Sequence, residues 1–105
     1  AHIVAEGMDK DFRFDLCIFD EAHKTSGRVG KKFGFALNDD NLNTRKRLFL
    51  TATPRHYNLN KKNKEGDFDL VYSMDNPNVY GRIAHQLSFA VAARKGIICN
   101  YKVII

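Results

Sequence analysis

The chain has 105 residues, 44% of them hydrophobic and 28% charged, the proportions of one small globular domain. Its apolar stretches reach about five residues, far short of a bilayer span, and no basic stretch followed by an apolar segment opens it. No membrane partner and no secretory signal are therefore expected. Lys and Arg number 17 against 12 Asp and Glu, a formal charge of +5 that suits a polyanion and equally an ordinary basic surface.

The opening Ala1-His2, without methionine, is expected to lie inside a longer protein. Residues 2–8 read as a helix end or a short strand, and Asp9-Lys10-Asp11 as a polar break. Phe12 and Phe14 lead into Leu16-Cys17-Ile18-Phe19, an uninterrupted apolar run that predicts a strand buried on both faces, as in a parallel sheet. Asp20-Glu21-Ala22-His23 follows at its carboxyl end, where open α/β sheets bind ligands. Two carboxylates there suit Mg²⁺ and phosphoryl transfer, or simply the start of a following helix.

Lys24-Thr25-Ser26-Gly27 is turn-like, residues 29–37 carry a helical spacing of apolar side chains, and Asn38-Asp39-Asp40-Asn41 closes that element. Arg45-Lys46-Arg47 is expected in solvent, ahead of a second buried strand, Leu48-Phe49-Leu50, which ends in Thr51-Ala52-Thr53-Pro54. Residues 58–67 are the most polar part of the chain and read as a lysine-bearing loop. A short strand is predicted over residues 68–74, then a turn at Asp75-Asn76-Pro77-Asn78. Alternation over residues 82–87 predicts another strand. Ser88 reads as the N-cap of a helix over residues 89–95, stopped by Gly96, and residues 101–105 as a final strand. Cys17 and Cys99 stand in apolar sequence and are expected as reduced thiols, Cys17 buried, which fits a cytoplasmic location.

The two tetrads, each at the end of an apolar run and in this order, resemble motifs II and III of the superfamily 2 DEAH/DExH helicases and translocases. Tyr80-Gly81, Leu87-Ser88-Phe89, Ala92 or Ala93, Gly96 and Tyr101-Lys102-Val103-Ile104 look like the segment after motif III in the restriction-enzyme-like bacterial and phage branch. The resemblance spans nearly the whole chain, most specifically in the tetrads. It implies an α/β fold, residues 1–105 being part of the first RecA-like P-loop NTPase motor domain, with a mainly parallel sheet flanked by helices. It implies ATP and Mg²⁺ as cofactors, DNA rather than RNA as partner, and a second RecA-like domain. Asp20 would hold Mg²⁺ through water, Glu21 would orient the hydrolytic water, and His23 would sense the phosphate state. Thr51, Ala52 and Thr53 would form the coupling motif, the threonines bonding to motif II side chains; Pro54 fixes the strand exit.

The chain departs from that pattern in having no G-x-x-x-x-G-K-[ST] loop to cradle a triphosphate. Gly27-Arg28-Val29-Gly30-Lys31-Lys32 has the wrong spacing and no hydroxyl after lysine. The expectation is an excerpt lacking the P-loop strand, inactive by itself, in which the motif III strand pairs in parallel with the motif II strand. Two alternatives stand beside it. One is a metal-dependent nuclease using Asp20, Glu21 and His23, His56 or His85. The other is a non-catalytic basic nucleic-acid-binding module.

Overall fold

The computed structural model describes residues 2–9, 11–30, 32–57, 70–100 and 102. The expected loop at 58–67 and all but one residue of the expected strand at 101–105 lie outside them. Among the described residues the elements are α1 (His2–Gly7), β1 (Cys17–Phe19), a 3₁₀ turn (Ala22–Thr25), β2 (Gly27–Arg28), a second 3₁₀ segment (Lys32–Leu37), β3 (Arg47–Phe49), β4 (Val71–Tyr72), α2 (Pro77–Tyr80) and α3 (Phe89–Arg94).

β1 and β3 pair in parallel with Ile18 opposite Leu48, the pairing that the resemblance implies. The ladder extends beyond the strands at both ends. The Cys17 N–H donates to Lys46 C=O at 2.9 Å, and the Leu50 N–H donates to Phe19 C=O at 2.9 Å. An antiparallel pair, β2 with β4, brings Gly27 opposite Tyr72 and Arg28 opposite Val71.

The strands are not buried on both faces. Side chains alternate across a strand, so Cys17, Phe19, Arg47 and Phe49 take the half-covered face, while Ile18 and Leu48 stand 57% and 41% exposed on the other. The continuous apolar run therefore overstates burial here. Ala22, Ala36 and Ala92 are the buried hydrophobic residues among those described, with Thr25, Ser26, Thr44 and Ser73 buried beside them. Cys17 is half-buried and Cys99 exposed, contrary to the apolar setting expected of it; both are free thiols.

Three further expectations change. The helix expected over residues 29–37 is a 3₁₀ segment at Lys32–Leu37, because Gly30 takes φ 93° and ends any continuous helix from Val29. Gly34 lies so close to the Thr25 carbonyl and the Tyr72 ring that a Cβ there would stand 3.4 Å from each. The expected strand at 82–87 is irregular and exposed, and it has no backbone partner among the described residues to make a ladder of its alternation. Arg47 is drawn in rather than solvated. Its guanidinium meets Asp39 at 2.7 Å, and Nε and Nη2 donate to the Ala36 and Leu42 carbonyls at 3.1 and 3.2 Å.

Local capping follows the sequence closely. Ser88 Oγ accepts from the Val91 N–H at 3.3 Å and starts α3. At its other end the Gly96 N–H donates to Ala93 C=O and the Ile97 N–H to Ala92 C=O, each at 3.0 Å, a Schellman closure around Gly96 at φ 68°. Asn76 caps α2 by accepting from the Asn78 N–H at 3.0 Å, with Pro77 in the first turn, so the expected turn is one turn of helix.

Candidate functional site at the strand ends

The carboxyl ends of β1 and β3 lie side by side, and both tetrads emerge there. After Phe19 the chain reverses at Asp20, whose Oδ1 accepts from the Glu21 N–H at 2.8 Å. Glu21 then takes φ 51°, ψ 44°, the left-handed region, which costs a non-glycine residue about 1–2 kcal/mol. The neighbouring peptides hold it there. The Ala22 N–H donates to Leu50 C=O at 2.9 Å, and the Lys24 N–H donates to Glu21 C=O at 2.9 Å. Ala22 is fully buried, so the third position of the tetrad has room for little more than a methyl group. Asp20 and Glu21 are both exposed, at the same end of the parallel pair.

His23 turns back across the strand ends, its side chain 14% exposed. Its Nδ1 lies 3.0 Å from Thr51 Oγ1, 3.2 Å from Thr53 Oγ1 and 3.3 Å from Glu21 Oε2. Thr51 Oγ1 also accepts from the Thr53 N–H at 3.2 Å, which closes the second tetrad on itself. Nδ1 carries either a hydrogen or a lone pair. Protonated, it donates to the Glu21 carboxylate or to a threonine hydroxyl; bare, it accepts from one threonine hydroxyl and has nothing to give the carboxylate. One ring nitrogen thus stands between a carboxylate and two hydroxyls, and only its protonated form serves the carboxylate. Ala52 and Pro54 are exposed and make no bond to the first tetrad among the described contacts.

Beneath the turn lies an aromatic ladder. Phe19 stacks on Phe49 with ring centroids 4.9 Å apart, and Phe49 meets the edge of Tyr80 at 4.9 Å. Tyr80 Oη is 2.9 Å from Thr25 Oγ1, and the Thr25 hydroxyl donates to Ala22 C=O at 2.7 Å. Burial pushes the Tyr80 phenol above its ordinary range, opposed by the bond to Thr25. The exit of the second tetrad is clipped as well. The Tyr57 N–H donates to Ser73 Oγ at 2.8 Å, Ser73 donates to Asp75, and the Met74 N–H donates to Arg55 C=O at 3.0 Å. The Ser73 hydroxyl holds the Asp75 carboxyl below the usual carboxylate range.

Sequence reasoning singled out Asp20, Glu21, His23, Thr51 and Thr53, and the structure brings them to one edge. It missed Thr25 and the clip at Ser73. Tyr80 was noted within a longer resemblance and given no task. Nothing in local sequence links a turn threonine to a tyrosine so far along the chain. Among the described residues no three His, Cys, Asp or Glu side chains are grouped to hold a metal ion. No described helix is long and apolar enough to cross a membrane.

No protein-family model matches this chain, and no curated protein matches it. Among solved structures it is similar to a chain described as the ATP-dependent Type ISP restriction-modification enzyme LlaBIII bound to DNA. The two share 30% sequence identity over 96% of this chain, with a TM-score of 0.70. The matched region is 7% of that chain's length.

Proposed function

We propose that the chain is the motif II to motif III part of the first RecA-like motor domain of a superfamily 2 translocase or helicase. In this reading it couples Mg²⁺-ATP hydrolysis to movement on DNA. The observation that carries the reading is His23 Nδ1 standing between the hydroxyls of Thr51 and Thr53, at the carboxyl ends of two parallel strands that also present Asp20 and Glu21. The likeness to an ATP-dependent, DNA-bound restriction-modification enzyme supports the choice of ATP and DNA.

The donor set fits Mg²⁺ with a nucleotide. Hard carboxylate oxygens suit that ion, which takes one or two carboxylates and fills its remaining positions with phosphate and water. Asp20 uses Oδ1 on the Glu21 N–H, which leaves its other oxygen for the ion's water shell. When bound, Mg²⁺ supplies charge neutralisation at the phosphates. Glu21 orients the attacking water, its exposed carboxylate projecting from a backbone fixed in the left-handed region. His23, within hydrogen-bond reach of Glu21 and of both threonines, links that carboxylate to Thr51 and Thr53. The triphosphate cradle and a transition-state arginine come from the rest of the motor in this reading.

The test is ATP hydrolysis by the full protein that carries this segment, with and without duplex DNA. Mg²⁺-dependent hydrolysis, stimulated by DNA and absent from the isolated 105 residues, is the expected result. Hydrolysis by the isolated chain, or none in the full protein, contradicts the reading.

A further inference from the structure

Three observations converge on Tyr80, which lies outside both tetrads. Its ring packs edge-on against Phe49, which stacks on Phe19, the residue before Asp20. Its hydroxyl lies 2.9 Å from Thr25 Oγ1. Thr25, itself buried, donates its hydroxyl hydrogen to Ala22 C=O at 2.7 Å. A hydroxyl has one hydrogen to give. With the Thr25 hydrogen committed to Ala22, the hydrogen between Thr25 and Tyr80 comes from the tyrosine. The bonds therefore run in one direction, from Tyr80 through Thr25 to the Ala22 carbonyl.

Ala22 directly follows the left-handed Glu21, and its peptide groups are held from two sides. Its N–H is fixed by the end of β3 at Leu50, and its C=O by Thr25. We infer that Tyr80 is a positioning residue for Glu21, its hydroxyl locking through Thr25 the turn that presents the carboxylate. This rests on the reading of Glu21 as the group that orients water. It adds a regulatory route, because Tyr80 closes α2, and any displacement of α2 slackens the bond to Thr25 and frees Glu21 to leave its left-handed conformation.

Tyr80→Phe keeps the ring against Phe49 and removes the hydroxyl. In the full protein it is expected to lower kcat for ATP hydrolysis about tenfold, with KM for ATP within twofold of wild type. Thr25→Val should match it, Thr25→Ser should restore most of the rate, and the Tyr80→Phe, Thr25→Val double variant should be no slower than either single one. Wild-type kcat in Tyr80→Phe, or multiplying losses in the double variant, overturns the inference. A separate readout is the Glu21 backbone in the full protein, selectively labelled and followed by its NMR Cα and Cβ shifts. They should leave left-handed values in Tyr80→Phe, and unchanged values overturn the inference. If wild type does not hydrolyse ATP, or Glu21→Gln still does, the reading of the site fails instead, and the NMR comparison still decides the role of Tyr80.

Discussion

At the scale of single residues, His23 ties the two tetrads together. Its Nδ1 lies within reach of Glu21 and of both threonine hydroxyls, so removing one hydroxyl should be partly covered by the other. Thr51→Val and Thr53→Val singly are expected to cost little, and together to match His23→Ala. Residues in one hydrogen-bond network couple by about 0.5–3 kcal/mol, and a double-mutant cycle on denaturant unfolding measures that energy. A second residue-scale prediction concerns Asp39, whose carboxyl is held below its ordinary value of 3.8 by its hydrogen bond to Arg47. A lowered folded-state pKa gives stability that is present above the unfolded value and lost as pH falls through the folded one. Asp39→Asn should therefore abolish a loss of stability that wild type shows below about pH 4. The carboxylate is 68% exposed, so the effect should stay below about 1 kcal/mol. Acid unfolding of both proteins checks it.

At the scale of elements, α3 is held by local chemistry that substitution isolates. Ser88→Ala removes the oxygen that accepts from the Val91 N–H and should cost about 1 kcal/mol. Gly96→Ala meets open space, so its cost is the backbone strain of a side chain at φ 68° and should be about 1 kcal/mol or more. Chemical denaturation of each variant gives both numbers. These caps were legible in the sequence because every atom involved lies within a few residues. The strands β1 and β3 were legible as two short apolar runs, but their parallel pairing followed only from the resemblance carried by the tetrads that end them. The expected strand at 82–87 failed for the opposite reason: alternation describes a face, and only a partner makes a strand. The pairing of Arg47 with Asp39 was hidden in a run of three basic residues that looked uniform. The link from Tyr80 to Thr25 joins elements far apart in sequence and left no local mark.

At the scale of the molecule, apolar surface is left uncovered. Ile18, Leu48, Leu16 and Leu50 share the open side of the strand pair, and Ile83, Phe89 and Ile97 are also exposed. The radius of gyration is 17.2 Å, against about 13 Å for a compact domain of this length. Apolar surface left wet forgoes about 25 cal/mol for each Å², and open strand edges are templates for pairing with another chain. The isolated 105 residues should therefore unfold at low denaturant and self-associate, as light scattering and denaturation would record. A monomer with a sharp, high-denaturant transition would show instead that this chain closes its own core.

In the proposed reading Glu21 orients water for ATP hydrolysis while other parts of the motor hold the nucleotide. Glu21→Gln in the full protein, with ATP binding and hydrolysis measured on the same preparation, separates these roles. Binding is expected within a few-fold of wild type and hydrolysis lowered by about a hundredfold or more, a loss of transition-state stabilisation rather than of affinity. Hydrolysis that survives the substitution, or binding lost together with it, would contradict that role for Glu21.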